Sequence, residues 1–256
     1  YRAGDQPNNA LALNILQPGE VAATGGTSGV LFAVTDQLNA QEYHKYNHFA
    51  HVNYTTDQPR LGKLLCINGA GIQYSWLRKI TKENKFSEMN SLANTVPIGS
   101  DGLVNLSFGN GAERMLNNKN IGAHLMHLNL NKHSRGHLYR AALEGVAFAF
   151  FYGLEIMIKD GLPINIIRAG NDNLFRSELF SNTLATLVGY EIEIYNTTGA
   201  VGAARAAGIK KGKFEDFQER TNSLDKETIF SPMQQKEAYL KAYARWKETL
   251  QKIINK

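Results

Sequence analysis

The sequence predicts a single α/β domain, and three observations carry that prediction. Residues 21–24 and 30–34 are short apolar runs separated by Gly25-Gly26-Thr27-Ser28-Gly29, which reads as a hairpin with small polar residues at its tip. Beyond it, apolar runs of strand length alternate with stretches of helical period, the pattern of an α/β sheet with helices packed on it. Residues 135–158 then show the strongest helical period in the chain. Leu138, Ala141, Ala142, Gly145, Phe148, Ala149 and Tyr152 share one face, and the small residues admit a close neighbour.

Taken in order, residues 8–17 read as a short apolar helix, introduced by the acidic turn Gly4-Asp5-Gln6 and Pro7 and closed by Pro18-Gly19. The polar stretch 37–60 holds a third strand with loops, and 64–67 a buried strand. A helix opens near Gln73, and 83–100 form a helix and a surface loop. Asn, Gly and charged residues break every period over 105–125, which reads as a long irregular loop. Residues 164–167 form a buried strand and 168–173 a turn. Residues 177–188 form an amphipathic helix, 191–195 an alternating strand, and 198–204 open a helix of small residues. Residues 233–254 form a charged terminal helix packed on the outside.

With 256 residues, 43% apolar and 20% charged, the chain has the composition of a globular domain rather than a disordered one. A single cysteine, Cys66, excludes an internal disulfide framework and suits a reducing cytosol. Its apolar setting, Leu64-Leu65-Cys66-Ile67, suggests a buried structural thiol. No stretch is expected to cross a membrane, and no signal peptide is expected at the polar start. The net charge of +5 suits an anionic ligand, but no basic aromatic patch tracks a nucleic acid strand.

Three glycine-containing turns follow short strands: 25–29, Asn68-Gly69-Ala70-Gly71, and Ala169-Gly170-Asn171-Asp172-Asn173. Backbone N–H groups hold phosphates, and glycine brings the backbone close because no Cβ intervenes. Thr27 and Ser28 offer hydroxyl donors beside the first turn. Residues 69–71 start a helix, where the macrodipole also favours an anion. Each glycine taken alone equally serves a plain turn, and none of the three is a Gly-Lys-Ser/Thr phosphate loop. Asp5 reads either as a helix cap or as a functional carboxylate. The seven histidines match no zinc spacing and read as surface or packing groups. Glu113-Arg114 reads as a structural ion pair and Glu144 as a partnered structural acid.

In order and spacing, these segments resemble the C-terminal half of the FGGY family of carbohydrate kinases over residues 2–209. The segments that carry the resemblance are Gly4-Asp5-Gln6, Gly26-Thr27-Ser28-Gly29-Val30-Leu31-Phe32-Ala33-Val34 and the stretch from Gly69 to Leu77. They continue with Asn110-Gly111-Ala112-Glu113-Arg114, Ala141-Ala142-Leu143-Glu144-Gly145-Val146-Ala147-Phe148 and the small residues from Gly199 to Ala204. The turn at 168–173 departs from the family's glycine-rich form and carries larger side chains.

The resemblance implies a ribonuclease-H-like fold of the actin-like ATPase superfamily, with a mixed sheet and flanking helices. Residues 1–256 would then be the ATP-binding domain of a cytoplasmic kinase whose N-terminal, sugar-binding domain is absent from this chain. It implies ATP and Mg²⁺, with a pentulose or related polyol as acceptor: D-xylulose, or alternatively glycerol, gluconate, ribulose or rhamnulose. It also implies an isolated chain without turnover, and often a homodimer. By the same resemblance Asp5 accepts the proton of the attacking hydroxyl and helps to hold Mg²⁺ through water. Gly26, Thr27 and Ser28 meet the β and γ phosphates, Gly69 and Gln73 border the phosphates and ribose, and Gly170 and Asn171 lie near the adenosine.

Overall fold

The computed structural model of the chain describes residues 3–38, 41–208 and 225–255; both ends of the resembling stretch, residues 2 and 209, fall outside them. Nine strands are described: β1 (Glu20–Gly25), β2 (Gly29–Thr35), β3 (Asn47–Ala50), β4 (Leu61–Ile67), β5 (Val104–Leu106), β6 (His124–Met126), β7 (Ile166–Gly170), β8 (Ile192–Tyr195) and β9 (Lys226–Phe230). Seven of them form one sheet in the order β3-β4-β2-β1-β7-β8-β9. The β3, β4, β2 and β1 pairings are antiparallel, β1-β7-β8 is parallel, and β9 closes the edge antiparallel. The α/β expectation holds, and the sheet is mixed.

The sheet's two faces follow from the period of two along its strands. Val21 and Ala23 of β1, with Leu31 and Ala33 of β2, enter the main core, whereas Ala22, Phe32 and Val34 enter a smaller cluster on the opposite face. The main core packs under α4 (Arg135–Lys159), together with α5 (Glu178–Val188) and α7 (Lys236–Ile254). The smaller cluster packs under α1 (Asp5–Ala12), which lies beside α6 (Gly199–Ala207). Two more helices, α2 (Gly71–Ile80) and α3 (Phe86–Asn94), flank the end of the sheet at the β1–β2 hairpin tip.

Several expectations change against this architecture. The first helix begins at Asp5, earlier than expected, because Pro7 is tolerated in a first helical turn. The irregular stretch 105–125 is bounded by β5 and β6, which pair as a separate two-stranded sheet. The terminal helix is not merely external: Tyr239, Tyr243, Trp246 and Leu250 share one face and enter the main core, and Trp246 Nε1 donates to the Asn105 carbonyl at 2.9 Å. With 25 residues, α4 is long and apolar enough to cross a membrane by length and composition, contrary to expectation, yet it is buried as the core helix.

The segment 168–173 is not wholly a turn, since β7 continues to Gly170 between β1 and β8. Arg168 there is a strand residue, donating from Nε to Glu193 at 2.8 Å and from Nη1 to the Asn14 carbonyl at 2.7 Å and to Glu20 at 3.1 Å. Glu113 and Arg114 do not pair with each other. Glu113 accepts from the Asn68 and Gly69 amides, both at 3.0 Å, while Arg114 reaches the Tyr43 and His44 carbonyls and Asn47. Glu144 is a partnered acid as expected, held by Arg140 at 2.7 Å and by the Gly99 amide and Ser100 hydroxyl.

His51 is buried beside the Phe32 ring and its Nε2 lies 2.9 Å from the Ile15 carbonyl. Burial outweighs that hydrogen bond and holds the imidazole down at about 4, so the folded ring is neutral. The unfolded ring takes up a proton near pH ~6.5. His51 therefore contributes its full stability above that pH, loses it as pH falls toward 4, and loses no more below. Urea unfolding at pH 7 and pH 4.5 should show a smaller acid loss for His51→Gln than for the parent chain; equal losses would remove His51 as a source of acid sensitivity.

Candidate functional site

A cleft of about 430 Å³ opens beside the β1–β2 hairpin tip. Gly25, Gly26 and Thr27 form one wall, and Gly71, Tyr74 and Ser75 of α2 form the floor. Phe86, Ser87 and Asn90 of α3 face the turn after β7, which contributes Asn173, Leu174, Arg176 and Ser177. Tyr74 stacks on Phe86 with centroids 5.6 Å apart and donates to Asn90 Oδ1 at 2.8 Å, so the α2–α3 wall is fixed by its own contacts. The Arg78 guanidinium sits over the Phe86 ring at 4.4 Å.

The hairpin tip is seated on α2 by backbone bonds. The Gly71 amide donates to the Gly26 carbonyl at 3.0 Å and the Ile72 amide to the Thr27 carbonyl at 3.1 Å. Two N–H groups at the start of α2 are therefore engaged, and the helix end is a seat for the hairpin rather than the open anion site expected at 69–71. Ser28 donates to the Asn68 carbonyl at 3.4 Å, away from the cleft.

Of the residues given a ligand role in sequence, Gly26 and Thr27 line the cleft, whereas Asp5, Ser28, Gly69, Gln73, Gly170 and Asn171 do not; Gly25, Gly71 and Asn173 of the three glycine-containing turns line it as well. A Cβ on Gly69 would lie 1.8 Å from the Ser107 carbonyl oxygen, so that glycine permits two backbones to approach. The Gln73 amide is closed in a reciprocal pair with Asn105, at 2.6 and 2.7 Å. Gly170 ends β7, and Asn171 donates its amide to Glu227. The turn after β7 instead presents Asn173 and Arg176 to the cleft. Phe86, Asn90 and Arg176 carry no local signal, since their role depends on where α3 and this turn pack.

The glycines of the cleft make contrasting predictions. A Cβ on Gly26 meets nothing nearer than the Ser28 carbonyl at 3.5 Å and projects toward the cleft, where Asn173 Nδ2 lies 3.9 Å away. Gly26→Ala should fold like the parent chain and weaken nucleotide binding about tenfold, or ~1.4 kcal/mol. Gly69→Ala should destabilise the fold by about 1–3 kcal/mol through overpacking. Thermal unfolding and calorimetric titration with Mg–ATP separate the two effects, and a destabilised Gly26→Ala would contradict this geometry.

Asp5 comes to the same end of the sheet from the opposite face. Asn9, one turn later in α1, donates from Nδ2 to Thr24 Oγ1 at 2.9 Å. Further along, Leu13 packs in one cluster with Ala22, so α1 runs antiparallel to β1. One helical turn is ~5.4 Å and two strand residues ~6.7 Å. Asp5 therefore lies level with the hairpin tip at Gly26. Its carboxylate is solvent-exposed and accepts from the Gln6 amide at 2.9 Å. Cys66 shares the Thr24 and Val30 row; burial raises its thiol, and the charges of Glu113 and Asp5 add to the rise.

The likeness to solved kinases gives this mixed sheet and its flanking helices the ribonuclease-H-like fold of the actin-like ATPase superfamily. The family model for the C-terminal domain of the FGGY family of carbohydrate kinases matches residues 21–210. The chain belongs to that family. It is 27% identical over 260 residues to the xylulose kinase of Haemophilus influenzae, covering 95% of this chain and 49% of that protein. The xylulose kinase of Bacillus subtilis is 25% identical over 228 residues, covering 86% of this chain and 44% of that protein. The crystal structure of xylulose kinase from Rhodospirillum rubrum superposes with a TM-score of 0.86 at 25% identity, over 99% of this chain and 52% of that one. The chain thus spans about half the length of the curated relatives it matches.

Proposed function

We propose that residues 1–256 are the ATP-binding half of a cytoplasmic sugar kinase, acting with an N-terminal sugar-binding half. The reaction moves the γ-phosphoryl group of ATP to a hydroxyl of a pentulose, D-xylulose before other polyols. The observation that carries this reading is the Asn9–Thr24 bond between α1 and β1, which, with the rises of helix and strand, brings the exposed Asp5 level with the Gly26–Thr27 tip that lines the cleft. The names of the similar proteins support the choice of sugar.

The roles assigned here join the family resemblance to this geometry. The tip of the hairpin faces the β and γ phosphates, with the Thr27 hydroxyl as a donor. The base and ribose lie along the cleft toward Phe86, Asn90 and Arg176. Asp5 orients the sugar hydroxyl and takes its proton as the new P–O bond forms and the bond from the γ-phosphorus to the bridging oxygen breaks, leaving ADP. The donor set also fits Mg²⁺, which is commonly held by one or two carboxylates with substrate phosphates and water. Asp5 would hold it through water, and when bound the ion neutralises charge on the phosphates. Ser28 ties the hairpin to the Asn68 carbonyl, Gly69 is held by Glu113, Gln73 ties α2 to β5 through Asn105, and the Asn171 carbonyl accepts from Arg176 in the turn that bears Asn173.

The test is a coupled ADP-release assay of the full-length protein over a sugar panel, alongside calorimetry of this chain with Mg–ATP. We expect turnover with D-xylulose by the full-length protein, and nucleotide binding without turnover by this chain. Turnover with none of the sugars would refute the kinase reading, and no binding at millimolar nucleotide would refute the assignment of the cleft.

A further inference from the structure

We propose that the Asn9–Thr24 hydrogen bond is a strut that sets the position of Asp5 relative to the phosphate hairpin, making Asn9 and Thr24 positioning residues for phosphoryl transfer. The inference rests on the reading of Asp5 as the acceptor of the hydroxyl proton. It adds residues that neither sequence motif nor cleft lining singles out.

The need for a strut follows from how α1 is built. The helix has only eight residues, and its first turn carries no side-chain cap at Gly4. A first turn so placed frays unless tertiary contacts hold it. Buried apolar contacts of α1 begin at Ala10, more than a turn beyond Asp5. Between them stand Asn8 and Asn9. The Asn8 side-chain amide donates back to the Gly4 carbonyl at 2.9 Å and to the Ala3 carbonyl at 3.3 Å, closing the turn that carries Asp5. Asn9 reaches across to Thr24, the last side chain of β1 before the glycines of the tip. The bond therefore joins the helix that bears the carboxylate to the strand that bears the hairpin, within two residues of the tip and about one turn of Asp5.

α6 supports the same junction from behind. The position of a Cβ on Gly199 lies 3.5 Å from the Asn9 Cβ, and that on Gly202 lies 2.4 Å from the Asn8 carbonyl oxygen. α1 is thus clasped between β1 and the start of α6, and the Asn9 amide is the polar group that fixes its height along β1. A shift of α1 by even 1 Å matters to transfer, because misplacement on that scale can lower a rate by on the order of a hundredfold.

The experiment compares Asn9→Ala, Thr24→Val, Thr24→Ser, the Asn9→Ala/Thr24→Val double variant and Asp5→Asn in the full-length kinase, reading kcat and the KM for Mg–ATP separately. Thr24→Val keeps the shape and removes the hydroxyl; Thr24→Ser keeps the hydroxyl. We expect Asn9→Ala and Thr24→Val each to lower kcat about ten- to a hundredfold with KM little changed. Thr24→Ser should stay close to the parent, and the double variant should be no worse than either single one, as for two ends of one interaction. A kcat within twofold of the parent for Thr24→Val overturns the proposal. So does an equal loss in Thr24→Ser, which would indicate packing rather than the hydrogen bond, or a change confined to KM. Asp5→Asn separates this from the underlying reading: an active Asp5→Asn removes the base itself, whereas an inactive one beside an unimpaired Thr24→Val removes only the strut. A second readout needs no turnover. With Mn²⁺–ATP bound to this chain, paramagnetic broadening of the Asp5 amide resonance should be retained in Thr24→Ser and reduced in Thr24→Val; unchanged broadening in Thr24→Val also overturns the proposal.

Discussion

Asp160→Ala is expected to destabilise the chain by about 3–5 kcal/mol. Asp160 ends α4, and its carboxylate lies 2.9 Å from Lys63 Nζ, with both side chains almost completely buried. The Tyr46 hydroxyl donates to the same carboxylate, as do the Gln41 amide at 2.7 Å and the Glu42 amide at 3.3 Å. Removing Asp160 leaves the Lys63 ammonium, fully buried in the middle of β4, with no countercharge. Burial alone would raise the Asp160 carboxyl, but the bonds from Tyr46, Lys63 and Gln41 hold it below its ordinary value. Its contribution is therefore complete above the ordinary carboxylate range and is lost as pH falls through the depressed value. Chemical denaturation of Asp160→Ala, with the Lys63→Met/Asp160→Leu pair as control, checks the argument. The pair should recover much of the loss because it removes both charges together. A single variant as stable as the parent would mean that Lys63 finds water or another partner.

The second large effect is catalytic. Asp5→Asn should lower kcat about a hundred- to ten-thousandfold, the range for removing a positioned general base. Asn keeps the size of Asp and still accepts from the Gln6 amide, so α1 should remain in place. Mg–ATP affinity should change little, because the cleft wall is formed by the hairpin, α2, α3 and the turn after β7. Stopped-flow or coupled assays of the full-length kinase, with calorimetry for the nucleotide, separate the two quantities. Retained turnover would assign the proton acceptor elsewhere.

How much of this was legible in the sequence depended on whether the signal was local. The β1–β2 hairpin could be read directly, because its glycine cluster and flanking apolar runs carry their own turn chemistry. α4 could be read from its period. Arg168 misled, since a charge after an apolar run reads as the end of a strand. Its partners Glu20 and Glu193 come from neighbouring strands, and only the assembled sheet supplies them. β5 and β6 have three residues each, too few to show a period. In α7 the lysines and glutamates of the outer face obscured the buried row of Tyr239, Tyr243 and Trp246.

The site divided in the same way. Gly26 and Thr27 line the cleft, and their glycine-rich turn stands out in sequence, but composition alone equally serves a plain turn and their ligand role comes from the resemblance. By the resemblance Gln73 borders the phosphates and ribose, but Asn105, 32 residues away, captures its amide. Nothing near Phe86 or Asn90 in sequence announces a cleft wall. Tyr74 makes them one by stacking on the first and bonding the second.

The seating of the hairpin on α2 also gives the domain a built-in optical reporter. The Gly26 and Thr27 carbonyls are bonded to the first amides of α2, so the tip and the start of that helix share backbone contacts. One turn along it stands Trp76, more than half exposed, whereas the chain's other tryptophan, Trp246, is sealed in the core. Solvent-sensitive emission therefore comes from the helix that bears the hairpin, against a steady background from the interior. Quenching by iodide should reach Trp76 and spare Trp246, so the nucleotide binding proposed at the tip is expected to show as a change in Trp76 emission without labelling the protein.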